Sequence, residues 1–147
     1  MCSYCGCESI EVVGRFMAEL VEIVKASGTL GRACAGHDAA RVADAAAALA
    51  QLLHPHTTAE ERGLFALLAE DPEFTDHVAS LCAEHADLDA ALARIRAGDH
   101  ASYPSFDRSL RLHIDREENG LFPAAAVAFA GPEWEQVAAL TPATAQP

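Results

Sequence analysis

Two strings in this chain repeat the same chemistry. HTTAEERGLF at 56–65 and HIDREENGLF at 113–122 carry His, Glu, Glu, Leu and Phe at the same offsets. In each, a histidine precedes a glutamate by four residues: His56 with Glu60, and His113 with Glu117. On an α-helix four residues rise about 6 Å and turn about 40°, so both members of a pair face one point. A third histidine, His85, falls on another apolar stripe between them. A carboxylate buried alone costs several kcal/mol and is tolerated when paired or bound to a metal. A lone histidine on an apolar face is ordinarily a hydrogen-bonded core residue. Two copies of one His and Glu pair, with a third His, describe a metal cage instead. Two carboxylates suit two cations, since each can bridge while the imidazoles fill terminal positions. Mixed oxygen and nitrogen donors fit iron, ahead of manganese or zinc.

Around these five stand weaker candidates. Glu61 and Glu118 lie one residue further on, about 100° round the helix, and read as helix-edge or outer carboxylates with direct ligation as the alternative. His54 would face away from His56, but Pro55 removes a helical hydrogen bond, and a bulge there could turn His54 inward; the plain alternative is a solvated residue. Glu19 and Glu22 are carboxylates off the apolar stripe, solvated unless drawn to the cage. His77 precedes His85 by two turns, about 12 Å, too far to share its metal, while His37 and His100 fall in loops. Cys2, Cys5 and Cys7 form a second cluster, C-x-x-C-x-C, which suits a zinc site lacking its fourth ligand, a redox dithiol, or tail packing. Cys34 and Cys82 read as small buried hydrophobes.

The elements that position these residues are helices. Ala, Leu and Glu dominate, and aromatics are only 6% of the chain, which favours helix over sheet. The spacing predicts a helix from about Ser9 to Ala33, with Val13, Phe16, Leu20, Ile23, Ser27 and Leu30 inward. Asp38 caps a second helix to about Ala69, whose stripe is Leu49, Leu53, His56, Glu60, Leu64 and Leu67. Asp71-Pro72 opens a third that ends at Gly98, with Val78, Leu81, His85, Leu88, Leu92 and Ile95 inward. A fourth runs from near Pro104 to before Gly131, with Phe106, Leu110, His113, Glu117 and Leu121 inward. The expected fold is all-α, an up-down-up-down four-helix bundle with a short C-terminal extra helix or turn around Trp134. At 147 residues this is one domain: a Cys-rich segment at 1–8, the bundle at 9–130 and a tail at 131–147. The formal net charge of -12, with 10 Lys plus Arg, argues against nucleic acid and anionic membrane surfaces as partners. No apolar run approaches a membrane span, and with neither a signal-like start nor an even cysteine count the expected location is the cytoplasm.

At the doubled H-x-x-x-E with trailing Leu-Phe the chain resembles the hemerythrin-like, or HHE cation-binding, family of non-heme diiron proteins. The resemblance covers essentially the whole chain. It implies that His56, Glu60, His85, His113 and Glu117 ligate two iron ions, the glutamates bridging them together with an oxo or hydroxo group. MCSYCGC, GRFMAEL and EFTDHVASLCAEH look more narrowly like actinobacterial hemerythrin-like proteins, a branch associated with peroxide decomposition. Ferritin-like bundles, the nearest structural rival, use Glu-x-x-His, which is not paired here. Two family histidines are missing: Leu20 stands at the first-helix position, and Leu81 one turn before the third-helix ligand. Fewer imidazoles leave a more open coordination, which favours redox turnover over reversible O2 carriage. The resemblance thus implies disproportionation of H2O2 to water and O2 in oxidative-stress defence, the apolar layers admitting only small ligands. The alternative is a non-catalytic module that senses or binds iron, O2 or NO.

Overall fold

The computed structural model describes residues 6–143, and these are helical with no strand among them. Helix α1 spans Glu11–Ala35 and α2 spans Ala39–Glu60. The second continues through a π-helical turn, Glu61–Phe65, and a last turn, Ala66–Leu68. Helix α3 is Thr75–Arg96. Helix α4 is Tyr103–Arg116, again extended by a π-helical turn, Glu117–Leu121, and then by Phe122–Ala128. A fifth helix, α5, is Gly131–Leu140. Helix α1 packs on α2, α2 on α3, α3 on α4, and α4 returns to α1, which closes the four-helix ring. Every residue of the four expected inward stripes is buried.

The helix ends show local causes. The Asp38 carboxylate accepts hydrogen bonds from the amides of Ala40 and Arg41 at 3.1 and 3.2 Å, the expected N-cap of α2. Asp71, by contrast, does not open α3. Its carboxylate accepts from the Glu73 amide and its carbonyl from the Phe74 amide, a closed single turn, so the helix begins at Thr75. The expected turn around Trp134 is a full helix. It lies against the first π turn, where a Cβ on Gly63 would run into the Thr141 side chain. Arg15 of α1 donates to the Pro142 carbonyl at 2.8 Å and ties down the residues that follow α5. Between α1 and α4, the face of Tyr103 sits on Gly31, where a Cβ would come within 2.6 Å of the ring. The Tyr103 hydroxyl then donates to the Ser27 carbonyl at 2.8 Å.

The two π turns fall within one residue of the same place in the two repeats. Each lies at the Glu-Glu pair and is followed through by a glycine, Gly63 in one and Gly120 in the other. The His and Glu pairs themselves remain in α-helical register, and the widened turn shifts the phase only of the residues beyond it. Its result is that Leu64 and Phe65, and likewise Leu121 and Phe122, are all buried, although adjacent residues on a regular helix diverge by about 100°. The trailing Leu-Phe of both strings thereby lines the centre of the bundle.

Candidate metal centre

Midway along the bundle, α2 supplies His56 and Glu60, α3 supplies His85, and α4 with its π turn supplies His113 and Glu117. All five are buried, the two glutamates completely. One donor atom from each of Glu60, His85, His113 and Glu117 lies within 4.8 Å of the other three. His85 Nε2 stands 3.0 Å from His113 Nε2, 3.3 Å from Glu60 Oε2 and 3.7 Å from Glu117 Oε1. His113 Nε2 is in contact with Glu117 Oε1, and His56 Nε2 is 3.0 Å from Glu60 Oε1. Despite this proximity, His56 Nε2 and all four oxygens of Glu60 and Glu117 have no hydrogen-bond partner. Buried polar atoms are normally satisfied, and each orphan costs on the order of 1–3 kcal/mol. Five such orphans on three neighbouring cage residues fit bound cations, which would satisfy them.

The outer nitrogens of the three imidazoles are held by three carboxylates. His56 Nδ1 lies 2.7 Å from Glu19 Oε2 of α1, His85 Nδ1 2.7 Å from Glu61 Oε1, and His113 Nδ1 3.1 Å from Glu84 Oε2 of α3. Ionised carboxylates only accept, so Nδ1 keeps a proton, and once the ring gives up its other proton Nε2 presents its lone pair inward. This is the tautomer a metal ligand needs, with the orienting carboxylate beyond it. Arg15 braces Glu19 at 2.9 Å, and Arg116 braces Glu84. Apolar rings close the sides: Phe65 stacks on His85 with centroids 5.5 Å apart, and Phe16 meets His56 edge-on at 5.5 Å.

Without a cation, protons hold the cage together. Burial opposes charge on His56 and His85, but the surrounding carboxylates outweigh it and push the two imidazoles up to about 10 and about 11. His113 is also raised against its burial, chiefly by Glu117. Burial would raise Glu60, yet His56 draws it below the ordinary carboxylate range, whereas burial and the charge of Glu60 raise Glu117. One carboxylate of the pair thus ionises first, and the second resists.

The weaker candidates separate cleanly. Glu61 is the outer carboxylate on His85, in keeping with its position round the helix, and Glu118 lies outside the four-residue cluster. His54 is corrected: α2 runs unbroken through Pro55, and the bulge comes instead after Glu60. His54, two residues from His56, therefore faces outward, 72% exposed and 3.7 Å from Asp89. Glu22 is likewise corrected, since it is exposed and paired with Lys25 at 2.8 Å. Glu19 does reach the centre, but through His56 Nδ1. Glu84 escapes a reading of the sequence altogether, because it adjoins His85 on a helix face that reads as solvated. Its only signal is its place one residue before a candidate ligand, as Glu61 stands one residue after Glu60. His77 is an outer residue, 3.5 Å from Arg116. Leu20 and Leu81 are core side chains. Cys7 is buried and disulfide-bonded, which takes its thiolate away from the zinc site considered for Cys2, Cys5 and Cys7; Cys2 and Cys5 lie outside the described residues. Cys34 is buried as expected and Cys82 only half-buried.

A family model described as the hemerythrin HHE cation binding domain matches residues 15–125, which span all five cage residues and the three outer carboxylates. No curated protein and no solved structure gives a significant match.

Proposed function

Because the chain belongs to the hemerythrin HHE cation-binding family, a metal-binding module, we propose that His56, Glu60, His85, His113 and Glu117 hold two iron ions and that the loaded protein disproportionates hydrogen peroxide. The observation that supports the ligand set is the group of five orphaned polar atoms on His56, Glu60 and Glu117. When bound, iron would supply the redox capacity by which one H2O2 is reduced to water and a second is oxidised to O2. The remaining work falls to the chain. Glu60 and Glu117, approaching from opposite helices, would hold the iron between α2 and α4 and supply its carboxylate oxygens. The Nδ1 hydrogen bonds of the three histidines fix ring orientation and leave Nε2 free to bind. Phe16 and Phe65 stand against His56 and His85, Leu64 and Leu121 are fully buried, and this apolar packing would limit guests to molecules of peroxide size.

The peroxide preference rests on the likeness of MCSYCGC, GRFMAEL and EFTDHVASLCAEH to peroxide-decomposing relatives, together with the imidazole-poor site. Leu20 and Leu81, both in the core, offer no nitrogen. The test is to load metal-stripped protein with ferrous iron in air, measure iron per chain and the near-ultraviolet spectrum, and add H2O2 in an oxygen electrode. About two irons per chain with O2 release above the rate of free iron supports the reading. Iron without release rejects turnover in favour of a module that binds or senses iron, O2 or NO. No iron at all rejects the cage.

A further inference from the structure

We propose that the two halves of this cage are unequal: Glu60, His85, His113 and Glu117 take a first divalent cation tightly, and the His56 side takes a second one weakly and exchangeably. The inference rests on the reading of these residues as an iron site and adds an order and a side to it.

Three observations carry it. The donor atoms of the four residues already lie within 4.8 Å of one another, and His56 is not among them. Two imidazoles from α3 and α4 meet there, 3.0 Å apart. On the other side His56 is the single imidazole, because α1 sends Phe16, Leu20 and Ile23 into the core and no buried nitrogen or carboxylate. Charge points the same way. Glu60 and Glu117 are the only carboxylates buried inside the cage among the described residues, so a first dication neutralises both, and a second enters without uncompensated negative charge and against the repulsion of the first. Access supplies the third. A cavity of about 250 Å³ reaches His56 from the surface, lined among others by Arg15, Glu19, Gln51 and Pro55. His56 and Glu19 both line this cavity, and Glu19 is 21% exposed. A cation on the His56 side is therefore one side-chain pair from solvent.

The outer carboxylates allow the halves to be addressed separately, since Glu19 touches only His56 among the ligands and Glu84 only His113. Removing such a partner lowers metal affinity about 10–100-fold. The experiment titrates metal-stripped protein with Co2+ at pH 7, followed by calorimetry and visible absorption, for the parent chain and for Glu19→Gln and Glu84→Gln, each shown by circular dichroism to be folded. The expected result is two steps differing at least about ten-fold, with Glu19→Gln weakening only the second and Glu84→Gln the first. Two equal steps, a single bound Co2+, or a first step weakened by Glu19→Gln would overturn the inequality while leaving a metal site in place. Absence of any Co2+ binding would overturn both the inequality and the iron reading.

Discussion

Glu60 and Glu117 place four carboxylate oxygens in the middle of a bundle with no hydrogen bond to any of them, and that fact governs behaviour at the scale of the residue. Losing either glutamate, or His113, removes a donor from the tight cluster. Glu117→Gln and His113→Ala are therefore expected to lower bound iron to well under half the parent content by elemental analysis, with secondary structure retained. Glu61→Ala leaves every inner ligand in place and frees only His85 Nδ1, so its expected effect is the milder loss of about 10–100-fold in affinity, read by competition with a chelator. The raised histidines set the pH dependence. His56 and His85 titrate at about 10 and about 11 in the folded, metal-free protein, against about 6.5 when unfolded. Their stabilising contribution is whole below about pH 6.5 and is lost as the pH rises through those values. The metal-stripped protein should thus melt at a lower temperature near pH 10 than near pH 6.5, with a smaller decline in His85→Gln. Iron affinity should run the opposite way, rising with pH, because each imidazole must give up its inner proton to bind. A melting temperature independent of pH in the stripped protein would contradict the charge assignment.

At the scale of the element, the repeated string is a repeated piece of backbone, a His and Glu pair that runs into a π turn starting just after Glu60 in one copy and at Glu117 in the other. Bulges of this kind recur at functional sites, and here the turn brings both trailing apolar residues inward to wall the centre. The two glycines inside the turns have different surroundings. Gly63 is pressed by Thr141 and the Val137 carbonyl of the C-terminal helix, whereas nothing lies within 4 Å of a Cβ placed on Gly120. Gly63→Ala should cost about 1–3 kcal/mol by forcing α5 away. Gly120→Ala should be neutral or stabilise by up to about 1 kcal/mol, because it adds helix propensity without a clash. Denaturant melts of the two variants measure the difference, and equal effects would mean that α5 does not press on the π turn.

For the whole molecule, the bundle carries its cage at the cost of seven buried polar or charged side chains among the described residues, five of them at the centre. A cation that binds only the folded state restores stability by mass action, about 2.7 kcal/mol at one hundred times its dissociation constant. Adding ferrous iron anaerobically to the stripped protein should raise the melting temperature in proportion to the logarithm of free metal, and a chelator should reverse the rise. An unchanged melting temperature at saturating iron would mean that the folded cage has no preference for the ion. The acidic surface adds no competing site of comparable quality: among the described residues, the one cluster of converging ligands is that of Glu60, His85, His113 and Glu117. No helix among them is long and apolar enough to cross a membrane.

The helices and the inner ring of the site were legible from the order of residues alone. Burial repeats along a helix at steps of three and four, so Leu53, His56, Glu60 and Leu64 declare a common face, and a charged residue on such a face requires a partner. Residues one step off that face are another matter. Whether Glu19, Glu22 or Glu84 meets an imidazole depends on how neighbouring helices are rotated and spaced, and that is set by packing rather than by the periodicity of any one helix. Only the folded bundle could show that Glu19 and Glu84 brace histidines while Glu22 pairs with Lys25. Local backbone obeys the same rule. Pro55 signals a break that the packed α2 does not make, and the π turns fall where each string carries a glycine ahead of a Leu-Phe pair that the fold buries.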